Sequence, residues 1–182
     1  MASKKIRVGV VGFGISAKVF HLPFITILPD HFELVSILQR KGDEAKAAYP
    51  QARIVRTIEE MLSDDTIDLV VITTPNDTHF PYAKKALDAG KHVVLEKPFA
   101  NTTEEARALV EVASRSGKVL SVYQNRRYVS DFRTIKEILD RKLLGDIHEF
   151  EGTRTIPACR RQPANTTASL CSSTTRPTRA WR

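Results

Sequence analysis

The sequence predicts a doubly wound α/β domain, a parallel sheet with helices on both faces. Three observations carry this expectation. Six short runs rich in Val, Ile and Leu recur between residues 6 and 124, segments of helical pattern separate them, and a glycine pair closes the first run. Strands that alternate with helices imply parallel pairing through right-handed crossovers.

The elements follow in order. "IRVGVVG" (6–12) is nearly continuous in branched residues, as a strand covered on both faces requires. It ends in Gly12 and Gly14, and a helix is expected from about Ser16. "FELVSIL" (32–38) and "RIV" (53–55) read as the second and third strands. "TIEEML" (57–62) opens with a capping box, Thr57 with Glu60. "DLVVITT" (68–74) is the fourth strand, and "THFPYAKKALDAGK" (78–91) is a helix that stops at Gly90. "HVVLE" (92–96) is the fifth strand. "TTEEARALVEVASRSGK" (102–118) pairs Thr102 with Glu105 and sets apolar residues at 106, 109, 110 and 113. It closes with Gly117. "VLSVYQ" (119–124) is the sixth strand, and a further strand is expected over "GDIHEFEG" (145–152).

With 182 residues, 42% hydrophobic and 27% charged, the chain has room for one substantial core and not for two. No run approaches the roughly 18 to 20 apolar residues of a membrane span. The opening "MASKKIRVGVV" lacks the apolar stretch and cleavage site of a secretory signal, so a cytoplasmic location is expected. The net charge of +7 is unevenly placed. Residues 151–182 hold six arginines against Glu151 alone, which leaves 22 basic and 20 acidic side chains in the first 150 residues. The expected organisation is therefore a body over 1–150 and an irregular tail over 151–182. The tail has seven threonines, three serines and three prolines without strand or helix period, so it is expected to be disordered or read out of frame. A nucleic-acid-binding tail is the weaker reading, because its charge is sparse and no aromatics interleave with it. Cys159 and Cys171 lie in this tail and form neither a disulfide framework nor a metal site.

"VGVVGFGISAKVFH" (8–21) is either a nucleotide cradle or an ordinary tight turn. Its position after the first strand and before a helix favours the cradle. Gly12 permits the turn, Gly14 leaves room for a pyrophosphate, and Phe13, Ile15 and Ser16 complete the loop. The helix start offers N–H groups and a partial positive charge. Ala17, at the third glycine position, is small enough for close helix–strand packing. The second strand ends in Gln39, Arg40 and Lys41, with Asp43 and Glu44 only later. A basic residue at that point suits a 2′-phosphate, so NADP is expected with Arg40 as its fork, and NAD stays possible. The alternative is a solvated basic loop.

"TTPNDTH" (73–79) and "EKPFA" (96–100) follow the fourth and fifth strands, on the edge where such sheets bind ligands. With Pro75-Asn76-x-x-His79 and Glu96-Lys97-Pro98, the stretch from 71 to 100 resembles the N-terminal, Rossmann half of the Gfo/Idh/MocA family. That family comprises NAD(P)-dependent sugar and polyol oxidoreductases. "SVYQNRRYVSDFRTIKEIL" (121–139) is similar to a subgroup that includes fungal members resembling the galactose-regulon repressor. The resemblance covers about residues 5–150. It implies that Lys97 lies beside the nicotinamide and bonds the reacting hydroxyl or carbonyl. It also implies that Thr74, Pro75 and Asn76 line the cofactor while His79 steadies their loop. Glu96 would face the nicotinamide ribose, and Asn125 and Arg127 the substrate. His21, His31 and His148 read as structural or solvent-facing.

Family members continue into a second α+β domain that covers the nicotinamide and forms much of the oligomer interface, and these 182 residues are too few to include it. The expected function is hydride transfer in the complete protein with little turnover by this chain. The alternative is a non-catalytic, cofactor-sensing interaction protein. A small sugar- or polyol-like substrate and a homo-oligomer are the expected partners, with no membrane.

Overall fold

The computed structural model describes residues 4–149 and 151. The chain divides after Asn125 into two units. The first holds six strands: β1 (Ile6–Val11), β2 (Phe32–Leu38), β3 (Arg53–Val55), β4 (Leu69–Ile72), β5 (His92–Leu95) and β6 (Leu120–Val122). They form one sheet in the order β3-β2-β1-β4-β5-β6, with every neighbouring pair parallel. The doubly wound Rossmann architecture read from the sequence is the one observed.

Side chains alternate between the two faces of each strand, and both faces are covered. Val11, Val70, Ile72, Val93 and Leu95 enter one core. There they meet α3 (Ile58–Leu62), α4 (His79–Asp88) and α5 (Thr103–Ser116) through Met61, Leu87 and Leu109. Val8, Val10, Ile37 and Val71 enter the other core, with Leu22 and Ile25 of α1 (Leu22–Ile27) and Ala45 of α2 (Glu44–Ala48). Two apolar faces explain why the strands lack the polar alternation of an exposed sheet.

The helix signals act locally. Thr57 Oγ1 accepts the N–H of Glu60, and Thr102 Oγ1 that of Glu105, each at 3.2 Å. In both boxes the glutamate reaches one residue further back than the standard motif, to the N–H of Arg56 and of Asn101 at 3.0 Å. Gly90 and Gly117 stop α4 and α5 with φ of +72° and +63°.

Most strands are shorter at their carboxyl ends than the apolar runs suggest. Gly12, Thr73, Glu96 and Tyr123 each donate one last N–H to the neighbouring strand, but they and Thr74 and Gln124 lie past the paired residues, because the chain turns away there. Those residues form the edge that positions the site. The second unit contains α6 (Ser130–Asp140), whose Phe132, Ile135 and Leu139 are exposed at helical spacing. The strand expected over 145–152 is not formed by residues 145–149. Among the described residues of this unit no other strand offers a ladder for it. Residues 152–182 lie outside the described part, and the expectations for the tail with them.

Candidate cofactor site at the carboxyl edge of the sheet

The strand order reverses between β1 and β4, and a cleft of about 680 Å³ opens at their carboxyl ends. Open α/β sheets take their ligands at such a switch point. The turn after β1 supplies one wall. Gly12 sits at φ +101°, and a Cβ there would meet Thr73 Oγ1 at 3.0 Å and Thr74 Cγ2 at 3.2 Å. Its N–H donates to Leu38 O at 3.0 Å, and Thr73 Oγ1 donates to Val11 O at 2.9 Å, so the three strand ends are tied together. Gly14 is different: a Cβ there would meet nothing within 4 Å. The helical turn then closes with Lys18 N–H donating to Gly14 O at 3.1 Å. The Phe13 ring packs edge-on to Tyr49 at 6.2 Å with Lys18 Nζ 4.5 Å above it, while Ile15 is 79% exposed.

The second wall is the loop after β2. Arg40 and Lys41 line the cleft, are exposed, and form no ion pair among the described residues. Gln39 is buried and caps α2, its Oε1 accepting the Ala45 N–H at 2.8 Å while its amide donates to Glu44. Thr74, Pro75, Asp77 and Thr78, with Tyr82 of α4, form the third wall. Asn76 opens the short turn Asn76–Thr78 just outside the cleft lining. His79 is 1% exposed behind this loop. Its Nε2 lies 2.9 Å from Thr74 O and its Nδ1 2.7 Å from Pro98 O, so one ring spans the loops after β4 and β5.

Glu96 is 8% exposed and occupied on both oxygens. Oε1 accepts Ser16 Oγ at 2.5 Å and stands 2.9 Å from His21 Nε2, and Oε2 accepts the Lys97 N–H at 3.1 Å. Burial pushes the Glu96 pKa up, but the bonds from Ser16, His21 and Lys97 outweigh it and hold the carboxyl below its ordinary value. Burial lowers His21, against the opposing bond and charge of Glu96. The His21 ring also lies 4.2 Å from that of Tyr123, whose hydroxyl donates to Phe20 O at 2.8 Å. Burial, then the Glu96 charge, raises the Tyr123 pKa. Lys97 itself is exposed, and its ammonium has no bonded partner among the described residues. Asn125, half-buried, ends the first unit, and Arg127, exposed, belongs to the second.

The cleft thus brings together Gly12, Phe13, Gly14, Arg40, Thr74 and Pro75. Ser16, Glu96 and His79 act around it through side-chain bonds. Two further residues also shape the site: His21, which the sequence reads as structural or solvent-facing and which is buried, and Arg56, which motif reading passed over. His21 is the buried partner of Glu96. Arg56 bonds the loop after β2, with Nη1 donating to Gln39 O at 2.8 Å and Gly42 O at 2.7 Å, and Nη2 to Asp43 Oδ1 at 2.6 Å. The only available signal for Arg56 was that β3 pairs with β2, which sets a residue just past one beside the loop just past the other. Among the described residues no group of three or more His, Cys, Asp or Glu is placed to hold a metal ion, and no helix is long and apolar enough to cross a membrane.

Residues 6–124 match the family model described as oxidoreductase family, NAD-binding Rossmann fold. The chain belongs to the Gfo/Idh/MocA oxidoreductase family. Among its Gfo/Idh/MocA relatives, the uncharacterized oxidoreductase YdgJ of Escherichia coli is 47% identical over 149 residues, 82% of this chain and 43% of that one. The scyllo-inositol 2-dehydrogenase (NADP(+)) IolW of Bacillus subtilis is 40% identical, covering 80% of this chain and 40% of its own. The crystal structure of a putative oxidoreductase from Bacteroides fragilis superposes with a TM-score of 0.74 at 49% identity, over 78% of this chain and 42% of that one. The WlbA dehydrogenase of Bordetella pertussis, solved with NADH and UDP-GlcNAcA, gives 0.71 at 30% identity, over 80% and 42%. The chain spans about two fifths of the length of the curated relatives it matches.

Proposed function

We propose that this chain is the dinucleotide-binding part of an oxidoreductase that moves a hydride between NADP and a sugar- or polyol-like hydroxyl or carbonyl compound in the cytoplasm. One observation carries the reading: at the switch point an open glycine turn faces Arg40 and Lys41 on the neighbouring strand end, neither of them in an ion pair among the described residues. The space beside Gly14 fits a pyrophosphate, with Gly12, Phe13, Gly14, Ile15 and Ser16 wrapping it at the helix start. Arg40 forks a 2′-phosphate, supported by Lys41. Thr74, Pro75 and Asn76 flank the nicotinamide end, and His79 fixes that loop. Glu96 acts beside the nicotinamide ribose. The preference for NADP draws support from the cofactor in the name of IolW, and NAD is the runner-up, as WlbA was solved with NADH.

When bound, the nicotinamide supplies the hydride or accepts it. The residues of the chain do the rest. Lys97, exposed just past the end of β5 and without an ion pair among the described residues, stabilises developing alkoxide charge and exchanges a proton with the reacting oxygen. Asn125 and Arg127 orient the substrate. The 182 residues alone are expected to bind cofactor and turn over slowly, since aligning donor and acceptor and excluding water contribute about 7–11 kcal/mol in well-built sites.

The test is a titration with NADP+ followed by assays on a panel of inositols and glucosides. Where turnover is measurable, Lys97→Ala lowers kcat by about 10²–10⁴-fold while Kd for NADP+ stays within about twofold. Turnover that Lys97→Ala leaves intact would overturn the catalytic assignment.

A further inference from the structure

The loop between β2 and α2 reads the adenosine ribose in sheets of this kind, and here it and the first residue of α2 carry four charges: Arg40, Lys41, Asp43 and Glu44. Left free, they would nearly cancel, and the loop would have no reason to prefer a phosphate over two hydroxyls. They are not left free. Glu44 is folded back beneath Gly42, where a Cβ would stand 2.4 Å from its Oε2, and it is bonded by the Gln39 amide. Gly42 accommodates this with φ +78°. Asp43 is paired with Arg56 at 2.6 Å, and the same guanidinium spans the carbonyl oxygens of Gln39 and Gly42. Arg56 is in turn anchored through its N–H to Glu60 at 3.0 Å. It does not line the cleft, whereas Arg40 and Lys41 do.

We infer that Arg56 is a specificity-determining positioning residue: by neutralising Asp43 and pinning the loop carbonyls it leaves a net positive charge at the 2′ position, Arg40 and Lys41 in the cleft lining against Glu44 outside it, selecting a 2′-phosphorylated dinucleotide over its unphosphorylated counterpart. This rests on the NADP reading above. The Arg56 and Asp43 side chains are 47% and 81% exposed, so the pair adds little to stability. Its effect is on where charge stands. Freed from Arg56, Asp43 would repel the 2′-phosphate and offer an acceptor to the ribose hydroxyls instead.

The experiment measures Kd for NADP+ and for NAD+ by calorimetry on the full chain, with thermal melts to check folding. Arg56→Gln keeps an amide for the loop carbonyls and removes the cation. It is expected to weaken NADP+ about tenfold while NAD+ stays within twofold or tightens. Arg56→Gln/Asp43→Asn should regain most of the loss, and Arg56→Lys, a second folding-tolerant variant, should retain most of the preference. An unchanged NADP+/NAD+ ratio in Arg56→Gln, equal loss of both ligands, or no recovery in the double variant would overturn the inference and leave the proposed function standing. Failure of the wild-type chain to bind either dinucleotide would overturn both.

Discussion

Gly12 and Gly14 stand two residues apart and are glycines for different reasons. At Gly12 the backbone is left-handed and Thr73 and Thr74 crowd the missing Cβ, whereas at Gly14 the space is open. The first position shapes the turn and the second leaves room. Another residue-scale consequence concerns His21 and Glu96. Burial lowers His21, with Glu96 opposing, and burial of Glu96 is outweighed by the bonds it accepts, so both folded-state pKa values lie below their ordinary ones. At both sites the unfolded chain therefore takes up protons first, and acidification destabilises the fold. Stability is expected to begin falling as pH drops through about 6.5, where an unfolded histidine charges, and to fall again below about 4.3, where an unfolded glutamate does. Thermal melts between pH 8 and 4 read this directly. His21→Gln should flatten the upper part of the profile and keep the lower, and a wild-type midpoint equal at pH 8 and 5.5 would contradict the account.

At the scale of the element, α5 shows how local chemistry sets a boundary. Thr102 holds the Glu105 N–H, Glu105 holds the Asn101 N–H, and Leu109 and Val112 then face the core. Thr102→Ala should cost about 1 kcal/mol in urea denaturation, and an unchanged midpoint would show that packing alone fixes the start of the helix. Such signals are local in sequence, which is why the six strands and the capped helices were legible. The carboxyl ends of most strands were not, because an apolar run does not say where the ladder stops. The role of Arg56 and the pairing of His21, read only as structural or solvent-facing, were illegible for a related reason. Their partners lie 13 to 75 residues away, and only the order of strands brings Arg56 to Asp43 and His21 to Glu96. The motif residues at 12–16 and 73–79 could be placed because each is contiguous and tied to a strand end.

The whole molecule adds what no single element contains. Parallel strands put all their carboxyl ends on one edge, and the reversal of order between β1 and β4 parts the crossovers there, so the glycine turn, the basic loop and the Thr74–Pro75 loop become walls of one cleft. In the proposed function this cleft holds a nicotinamide dinucleotide. The most direct measurement is calorimetric titration of NADP+ into the wild-type chain and into Gly14→Leu. Nothing stands within 4 Å of a Cβ at that position, so the variant should keep its fold while its side chain fills the space assigned to the pyrophosphate. The wild type is expected to bind saturably, one to one, and Gly14→Leu at least about tenfold more weakly at an unchanged melting temperature. Equal affinity in the two, or no binding by the wild type, would contradict that proposal.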